Sequence, residues 1–431
     1  MKKRIFATAL CLLICLSACA DPTEFSDKEK LSSGYERNSD ISVTYNFADG
    51  AQEAPYAYNN YANYITNFEL KLFRKAYTAD SESFAIAPIN SVMQLAMLAN
   101  GAKNDTKQEI TLALGGDLDV DTVNTCSSYF KSRIESVSKL GDEQTDELSD
   151  KKHESAEFIK LSNALFINNE TDIRSAFLQK NADFFGADIF RFSFADENAD
   201  SKLKNAGYQL KIDENQSMLA MSKLEFSDSW LLPYGSNSMA NKDFNGKTTT
   251  FMSSQECTMK SESACGIVKY TAKNPLKTLI IMPNEGTSLS SYIKTFDSVE
   301  YNKLLDSIDY TKRKTVQVPQ FEIASQKHEM SEILPKSGLY TLFGEDSNFS
   351  NMAHTEGLVF NGYYDSVPSL YFSAMGLSTA SASAATADTA SVLYTNEDSE
   401  KSDLTFDRPF IVIIADNETN IPIYIGTYGV N

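Results

Sequence analysis

The C-terminal segment PFIVIIADNETNIPIYIGTYGV, residues 409–430, contains two apolar runs joined by the polar turn DNET. This pattern predicts a β-hairpin. An isolated hairpin is at best marginally stable in water, because it needs a larger sheet or a helix layer to cover its apolar face. The two strands must therefore complete a core that the preceding residues form.

A stretch of small residues, STASASAATADTAS at 378–391, precedes this hairpin. Because no second domain follows it, it is not an interdomain linker. It is a long excursion inside one domain, which is rare unless the loop has a function. The stretch lacks Pro and Gly, and it alternates Ala380, Ala382 and Ala384 with Thr379, Ser381 and Ser383. Such a segment is soluble when exposed and can become a central strand without burying a charge.

The length allows one large domain or two to three ordinary ones, and the composition supports a large core. The 431 residues are 42% hydrophobic and 11% aromatic, which supplies a large core. The net charge of −19 repels phosphate backbones, so nucleic-acid binding is disfavoured. Helical and strand patterns are interspersed without a regular βαβα alternation, which favours an α+β fold with a mixed or mainly antiparallel sheet.

Hydrophobic periodicity predicts several individual elements. The segment NNYANYITNFELKLFRKAY predicts a helix, and SFAIAPINSVMQLAMLANGA predicts a short strand, Pro88 and then a buried helix. The segment NDTKQEITLALG predicts a third helix, with Asp105 or Thr106 as N-cap and Gly115 as its C-terminal stop. Strands are predicted over FIKLSNALFIN, SMLAMSKLEF and LKTLIIMPNEG, among others.

The N-terminus has the features of a bacterial lipoprotein signal. A basic start, MKKR, and a short apolar run are followed by LSAC, which ends at Cys19. We expect residues 1–19 to be the signal and Cys19 to carry the lipid, while an ordinary secretory signal with an incidental cysteine is the alternative. Residues 20–55 are polar and predict a tether, so the folded domain spans 56–431. The expected location is the outer membrane or cell surface, with the periplasm as an alternative.

The sequence offers little support for an enzyme. It contains three histidines, His153, His328 and His354, each of which we expect to be a solvated surface residue. No nucleophile elbow, phosphate loop or zinc-protease motif occurs. Cys257 and Cys265 could bridge a hairpin or remain free thiols, and no cysteine has metal-ligand spacing. We therefore expect no catalysis, no metal and no cofactor.

From about Tyr61 to the C-terminus, the chain resembles the serpin family. The segment FAIAPINSVMQLAMLANGAKNDT resembles an early serpin signature, through Pro88, Gly101, Ala102 and Thr106. The segments LSNALFIN, LIIMPNEG, VQVPQFEI, GLYTLFGEDSNFSNM and FDRPFIVIIADNETNIPIYIGTYGVN follow in the family's order. The resemblance implies a single domain with a large central mixed β-sheet, two further sheets, about eight to nine helices and an exposed reactive-centre loop at about 376–403.

The resemblance also implies a function and its residues. Inhibitory serpins offer the loop as bait to a protease, and after cleavage the loop inserts as a strand into the central sheet and traps the acyl-enzyme. Trp230 stands where insertion begins. The hinge of the loop would comprise Gly376, Ser378, Thr379, Ala380, Ser381, Ala382, Ser383, Ala384 and Ala385.

Counting from the hinge threonine gives Val392 before the cleaved bond, with Leu393 and Tyr394 as the next candidates. Counting back from Phe406 gives Asp398 instead, so the loop is long on its C-terminal side. Valine suits elastase-like proteases, and leucine or tyrosine suits chymotrypsin-, subtilisin- or papain-like ones. The expected partners are thus a serine or cysteine protease and, through Cys19, a membrane, with the chain itself a monomer.

The chain departs from the family pattern at its hinge and beneath the sheet. Ser378 replaces the usual hinge glycine. Beneath the insertion path, the resemblance aligns Ala87, Asn90, Ser222 and Pro368 with positions where Ser, Ser, Asn and His are usual. Two alternatives therefore stay open: a non-inhibitory binding module or plain substrate on the same fold, and a glycan- or nutrient-binding lipoprotein of another family.

Overall fold

The computed structural model of the chain describes residues 23–38, 53–78, 83–136, 157–208, 212–214, 216–235, 238–273, 275–355, 357–379 and 402–429. Within these ranges the chain forms nine α-helices, together with 3-10 turns at Leu31–Gly34 and Pro335–Ser337. The helices are α1 (Glu53–Ala76), α2 (Pro88–Ala99), α3 (Asn104–Gly115), α4 (Val120–Ile134), α5 (Ser175–Phe184), α6 (Ala199–Asn205), α7 (Leu289–Thr295), α8 (Ser298–Asp306) and α9 (Met330–Ile333).

The same ranges contain seventeen β-strands in two sheets. They are β1 (Ser83–Ile86), β2 (Phe158–Asn168), β3 (Asp188–Phe192), β4 (Met218–Ser229), β5 (Met239–Phe244), β6 (Lys247–Lys260), β7 (Ala264–Tyr270), β8 (Leu276–Pro283), β9 (Lys314–Pro319), β10 (Phe321–Ile323), β11 (Gln326–Glu329), β12 (Gly362–Val367), β13 (Leu370–Phe372), β14 (Gly376–Ser378), β15 (Leu404–Thr405), β16 (Phe410–Asp416) and β17 (Pro422–Tyr428).

The central sheet has eight strands and is mixed, as predicted. Strand β4 lies in its middle, with β2 and then β3 on one side. On the other side β4 pairs with β12 and β14, which continue to β11 and to β13 and β10. The pairs β2–β3 and β4–β12 are parallel, and the other pairs are antiparallel.

The second sheet has nine strands, in the order β1, β17, β16, β8, β7, β6, β9, β15, with β5 also paired to β6. The two smaller sheets that the resemblance implies are thus two halves of one hydrogen-bonded sheet, because the 14-residue strand β6 belongs to both. The C-terminal hairpin of β16 and β17 lies inside this sheet, between β1 and β8. The hairpin therefore completes an upstream core, as the sequence predicts.

Helix α2 lies at the centre of the core, and all twelve of its residues are buried. Pro88 is its first residue, where the fixed φ of proline suits a helix start. The helix packs against β2 and β4 of the central sheet and against β17 of the second sheet. The predicted buried helix is confirmed, and it separates the two sheets directly beneath β4.

Two details of the helical layer differ from the predictions. Helix α3 begins at Asn104 after Lys103, and neither Asp105 nor Thr106 is its N-cap, because the Thr106 hydroxyl instead donates to the Thr341 carbonyl oxygen at 3.2 Å. Helix α4 was not predicted. Its buried positions include small and polar residues such as Ser127, which weaken its hydrophobic periodicity.

Residues 23–38 correct the prediction of a free tether over 20–55. They lie against β3, α5 and α6 as an ordered segment, which we call the N-terminal strap. The Arg191 N–H donates to the Glu29 carbonyl oxygen at 2.7 Å, and the Phe25 ring lies 4.4 Å from that of Phe190. The polar composition misled here because a few specific contacts hold the segment, such as Phe25 with Phe190 and Glu29 with Lys202. No helix within the described ranges is long and apolar enough to span a bilayer.

Candidate functional site: the seam of the central sheet

Strand β4 has two different neighbours along one side. From Leu219 to Lys223 it pairs in parallel with β12. From Ser227 to Ser229 it pairs antiparallel with β14. We call the boundary between β4 and β12 the seam, and the end near Ser229 its upper end. The seam is closed along its lower part, and β14 occupies its upper end.

Strand β14 and Thr379 are the start of the small-residue stretch, and they already lie in the sheet. The Thr379 N–H donates to the Phe226 carbonyl oxygen at 2.8 Å, and the Phe226 N–H donates to Thr379 Oγ1 at 2.9 Å. The Thr379 side chain is 9% exposed, and Leu377 is 2% exposed. The hinge residues Gly376, Ser378 and Thr379 thus form the first residues of an added antiparallel strand.

Gly376 permits the close approach of β14 to β4. A Cβ atom at this position would lie 2.1 Å from the Asp228 carbonyl oxygen, which is far inside van der Waals contact. The turn before it is held by the Gly376 carbonyl oxygen, which accepts from the Ser373 N–H at 3.0 Å and from Ser373 Oγ at 3.1 Å. A side chain at Gly376 would push the hinge out of the sheet.

Trp230 follows β4 directly and holds the turn between β13 and β14. Its indole N–H donates to the Ser373 carbonyl oxygen and its backbone N–H to the Met375 carbonyl oxygen, both at 2.8 Å. Its ring is 1% exposed and lies 4.9 Å from that of Phe372. The structure therefore locates Trp230 at the upper end of the seam, beside the point where the chain turns back into the sheet.

A buried ion pair supports Trp230 from below. Lys269 Nζ lies 2.5 Å from Glu256 Oε1, and both side chains are almost fully buried. The ammonium group also donates to the Leu232 carbonyl oxygen at 2.9 Å and lies 4.2 Å from the centre of the Tyr234 ring. Burial lowers the pKa of Lys269, and Glu256 opposes that effect. The pair and the rings together form a rigid floor under the upper end.

A second group of buried polar side chains lies beneath the closed part of the seam. Ser222 Oγ of β4 lies 2.8 Å from Asn163 Oδ1 and 3.3 Å from Gln94 Oε1. The Tyr363 hydroxyl of β12 donates to Ser222 Oγ at 3.3 Å, so the group bridges the two strands of the seam. We call it the seam cluster; its members are Asn90, Ser91, Gln94, Asn163, Ser222, Tyr363 and Asp365.

Asp365 is the charged member of the seam cluster, and its register partner on β4 is Ser222. It is fully buried, and its Oδ1 accepts from Asn90 Nδ2 at 2.7 Å. Neither Asp365 Oδ2 nor Asn90 Oδ1 forms a hydrogen bond with a described residue. Burial raises the pKa of Asp365 to about 7, against the lowering effect of Asn90 and of the Ala87 backbone. When Asp365 Oδ2 carries a proton it becomes a hydrogen-bond donor, and Asn90 Oδ1 is an acceptor that needs one.

These positions correct two expectations. Pro368 lies in the link between β12 and β13, so Asp365, not Pro368, supplies the polar side chain of β12. His328 is not a solvated surface residue. It lies on β11, its Nε2–H donates to the Ala85 carbonyl oxygen at 2.6 Å, and burial lowers its pKa. His354 is exposed, as expected.

Sequence reasoning missed Asp365, although a signal was present. In the segment GYYDSV, Tyr363, Asp365 and Val367 share one face by strand periodicity, and the two neighbours of the carboxylate are apolar or aromatic. A charged residue between two buried positions of a strand marks an unusual site. The signal is weak because a single charged residue in a short strand can also mark an exposed edge position.

The other end of the loop lies on the second sheet. Strand β15 pairs in parallel with β9, with Leu404 opposite Val316. The two ends of the loop are therefore fixed on different sheets. The remaining predicted hinge and cleavage residues lie outside the described residues: Ala380, Ser381, Ala382, Ser383, Ala384, Ala385, Val392, Leu393 and Tyr394. Cys19 also lies outside them.

The cysteines do not form a second site. Cys257 and Cys265 are free thiols, because Cys257 lies opposite Val268 and Cys265 lies opposite Lys260. Burial raises the pKa of both thiols, which keeps them protonated and unreactive. Within the described ranges, no three His, Cys, Asp or Glu side chains are grouped to hold a metal ion.

Comparison with known proteins agrees with this geometry. The profile of one family, Serpin (serine protease inhibitor), matches residues 63–429. Serpin A9 of Mus musculus is 22% identical over 383 residues, which covers 84% of this chain and 86% of that protein. The native structure of tengpin, a thermophilic serpin, superposes with a TM-score of 0.72 at 25% identity and covers 93% of this chain and 98% of that one.

Human thyroxine-binding globulin, solved in complex with thyroxine, has the same fold. Its TM-score is 0.69 at 17% identity, and it covers 87% of this chain and 99% of that one. Three features agree with the profile match. They are the mixed central sheet, the loop that begins where β4 changes its partner from β12 to β14, and the order of the sequence segments. The chain belongs to the serpin family, the serine protease inhibitors.

Proposed function

We propose that this chain inhibits serine endopeptidases, and by the same chemistry cysteine endopeptidases, as a suicide substrate. The inserted hinge supports the proposal most directly. Gly376 to Thr379 already hydrogen-bond to β4, so the loop needs only to extend an existing strand. Strand addition of this kind uses main-chain hydrogen bonds and tolerates small side chains on both faces.

The register of β14 determines which loop residues would meet which sheet residues. Ser378 lies opposite Ser227 in the antiparallel pair with β4. Continued down β4, this register sets Ser383 opposite Ser222 and Ala387 opposite Met218, which is the first residue of the strand. The inserted strand would therefore span the whole length of β4.

Strand alternation determines which face each inserted side chain would meet. Counted from buried Leu377, every second residue turns toward the main core, which places Ser381 and Ser383 on that side. Their hydroxyl groups would therefore face the seam cluster. The intervening alanines would turn toward α6 and fit beneath the helix; they are Ala380, Ala382 and Ala384.

The reaction follows from this geometry. The protease nucleophile attacks the carbonyl carbon of the residue before the cleaved bond. The peptide bond breaks, an acyl-enzyme forms, and the next residue becomes a new amino terminus. The freed loop then separates β12 from β4 between Leu219 and Lys223 and replaces their pairing with two antiparallel ladders. The acylated protease would be carried toward the lower end of the seam before water hydrolyses the acyl-enzyme bond, which is an ester with serine and a thioester with cysteine.

The hinge count favours Val392 as the residue before the cut, with Leu393 and Tyr394 as alternatives. Continued along β4, the register of β14 would end the inserted strand near Ala387, which leaves all three candidate residues just beyond it. A valine favours an elastase-like pocket. Cleavage after Leu393 or Tyr394 would favour chymotrypsin-, subtilisin- or papain-like proteases.

A non-inhibitory role is the second candidate. Thyroxine-binding globulin shares this fold and binds a small ligand in its solved structure, so the fold alone does not require inhibition. The split between β14 and β12 would then be a static feature. This candidate predicts cleavage of the loop without trapping.

The proposed setting is a membrane surface. A lipid on Cys19 would hold the domain at the outer membrane or cell surface as a monomer, and the sequence LSAC after the apolar run supports it. Secreted or surface proteases would then be the targets.

The test incubates the chain from Ala20 to Asn431 with elastase, chymotrypsin, subtilisin and papain, and each protease is matched with its nucleophile-to-alanine variant. An SDS-resistant band at the summed mass, absent with the inactive protease, is the expected result. Mass spectrometry of the released peptide identifies the cut, with a new amino terminus at Leu393 expected. Complete cleavage with the protease still active and no such band would instead support the non-inhibitory candidate.

A further inference from the structure

The N-terminal strap contacts three elements on one face of the domain. At its start, Asn205 Nδ2 of α6 donates to the Thr23 carbonyl oxygen at 3.0 Å. In its middle, Lys30 pairs with Asp188 of β3 at 2.7 Å. At its end, the Asn38 N–H donates to Asp183 Oδ1 of α5 at 2.9 Å.

The first part of the strap is the most firmly held. The Phe25 ring lies within 5.8 Å of the rings of Phe166, Phe190 and Phe192, and it completes the core between α6 and the central sheet. Four residues later, Glu29 accepts from Lys202 Nζ at 2.7 Å. Lys202 is a buried side chain of α6. Release of this part would uncover an aromatic cluster and a buried cation.

This docking shortens the link to the lipid anchor. A free tether over 20–55 would let the domain stand a root-mean-square distance of about 33 Å from its anchor. Because Thr23 is fixed to α6, only three residues lie between it and Cys19, and the four Cα–Cα steps that join the two extend to about 14 Å. The start of the strap, which lies at the level of Phe166 near the lower end of the seam, therefore stays close to whatever carries the lipid.

The reactive loop leaves the domain at the other end. Phe25 contacts Phe166, whose register partner on β4 is Leu219. The last described hinge residue, Thr379, bonds to Phe226 of the same strand. Seven residues of strand separate these two levels, which is about 23 Å. The anchor point and the loop are thus separated along the length of the seam.

We propose that the N-terminal strap orients the domain on a lipid surface, so that the lower end face of the domain, where the strap begins beside Asn205, lies toward the membrane and the reactive loop lies at the opposite end. The inference rests on the proposed lipid anchor at Cys19 and goes beyond protease inhibition. The occupant of this face is the bilayer that holds the chain's own anchor, because the linking segment is too short to reach further. The exposed residues of the face, such as Glu24 and Asp200, would meet lipid headgroups.

The test measures energy transfer from the lipidated full chain to a headgroup dye in phosphatidylcholine vesicles. A donor dye is attached through p-azidophenylalanine, which avoids the free cysteines, either at Asp200 of α6 or at Leu231 beyond the upper end of β4. Both side chains are exposed. We expect stronger transfer from Asp200 than from Leu231. Equal transfer from the two positions would overturn the proposal, and this comparison uses a chain whose strap is unchanged.

Two variants test the strap itself. A twenty-residue Gly/Ser insertion between Asp21 and Pro22 leaves the strap docked and lengthens the link, so transfer from Asp200 should fall. The pair Phe25→Ser and Glu29→Ala releases the strap and should have the same effect, whereas Glu24→Ala should not, with folding checked by circular dichroism. Unchanged transfer in the insertion variant would overturn the proposal.

Vesicle flotation tests the lipid anchor separately from the proposed inhibition of proteases. The wild-type chain should float with the vesicles, and Cys19→Ser should not. Failure of the wild-type chain to float would remove the anchor and overturn the proposed orientation. That result would leave the trapping of proteases to be decided by the SDS assay, which needs no membrane.

Discussion

Replacement of Asp365 by asparagine is the perturbation with the clearest physical expectation. Asp365 is fully buried beneath the seam, and Asn90 Nδ2 donates to its Oδ1 at 2.7 Å. The register partner of Asp365 on the neighbouring strand β11 is His328, which is therefore the titratable side chain of that strand closest to Asp365 in the ladder. Tyr363 lies on the same strand, and burial raises its pKa, so it stays neutral. Asparagine has the shape of the protonated acid and cannot ionise.

The sign of the effect follows from linkage. The pKa of Asp365 is about 7 in the folded chain, against an ordinary value of 3.8 for the unfolded chain. Between these values the folded state binds more protons, so its stability falls as pH rises. The contribution is full below about pH 4 and is lost by about pH 7. At about 1.4 kcal/mol for each pKa unit, the loss amounts to about 4 kcal/mol.

Urea unfolding, followed by tryptophan fluorescence at pH 5 and pH 8, measures the effect. We expect Asp365→Asn to exceed the stability of the wild type by about 2 kcal/mol at pH 5 and by about 4 kcal/mol at pH 8, because the wild type has lost only part of the Asp365 contribution at pH 5. Because Glu69 is also buried with a raised pKa, part of the pH dependence will persist in the variant, and only the difference between the two proteins reports Asp365. Glu322→Gln, an exposed carboxylate on β10 of the same sheet, is the control for net charge. If the wild type and Asp365→Asn lost the same stability between pH 5 and pH 8, the reasoning would be refuted.

Three further substitutions test the upper end of the seam. Gly376→Ala should destabilise the fold by about 1–3 kcal/mol in urea unfolding, because its Cβ would overlap the backbone of β4, whereas Gly34→Ala in open space should not; equal effects would contradict the close approach. Thr379→Arg should convert trapping into plain cleavage on SDS gels, since it forces a charge into a buried strand position, and Thr379→Ser should keep the SDS-resistant band; a full band with Thr379→Arg would argue against hinge insertion. Lys269→Met should cost about 3–5 kcal/mol by leaving Glu256 buried and unpaired. The double variant with Glu256→Leu should recover most of that stability, and no recovery would mean that packing, not charge, is lost.

The local elements were predictable because their patterns are strong. Strand β2 has the bounds that its segment FIKLSNALFIN predicts, and the buried helix begins at Pro88. Placement of the C-terminal hairpin inside a larger sheet also followed, since it rests on the instability of a lone hairpin. Where a prediction depended on one segment and its own periodicity, sequence was sufficient.

The arrangement of the seam could not be predicted in the same way. Insertion of Thr379 depends on the register between β14 and β4, which lie about 150 residues apart in sequence, and small residues alone are also compatible with full exposure. Docking of the strap depends on contacts with residues far away in sequence, such as Phe25 with Phe190 and Glu29 with Lys202. Such features come from tertiary contacts between distant residues, and no local pattern encodes them.

Several buried polar groups beneath the lower part of the seam lack a hydrogen-bond partner within the described part of the chain, and these groups bear on the proposed insertion. At the upper end, Trp230 and the hinge have their hydrogen bonds in place. Under the lower part, Asn90 Oδ1, Gln94 Nε2 and Asp365 Oδ2 are buried without a described hydrogen-bond partner. Buried unpartnered groups destabilise a fold by about 1–3 kcal/mol each. Continued down β4, the register of β14 sets Ser383 opposite Ser222, so under the proposed insertion its hydroxyl would offer the Gln94 amide a hydrogen-bond partner that it lacks among the described residues of the uncleaved form. Part of the free energy that favours the proposed insertion would then arise where β12 must separate from β4.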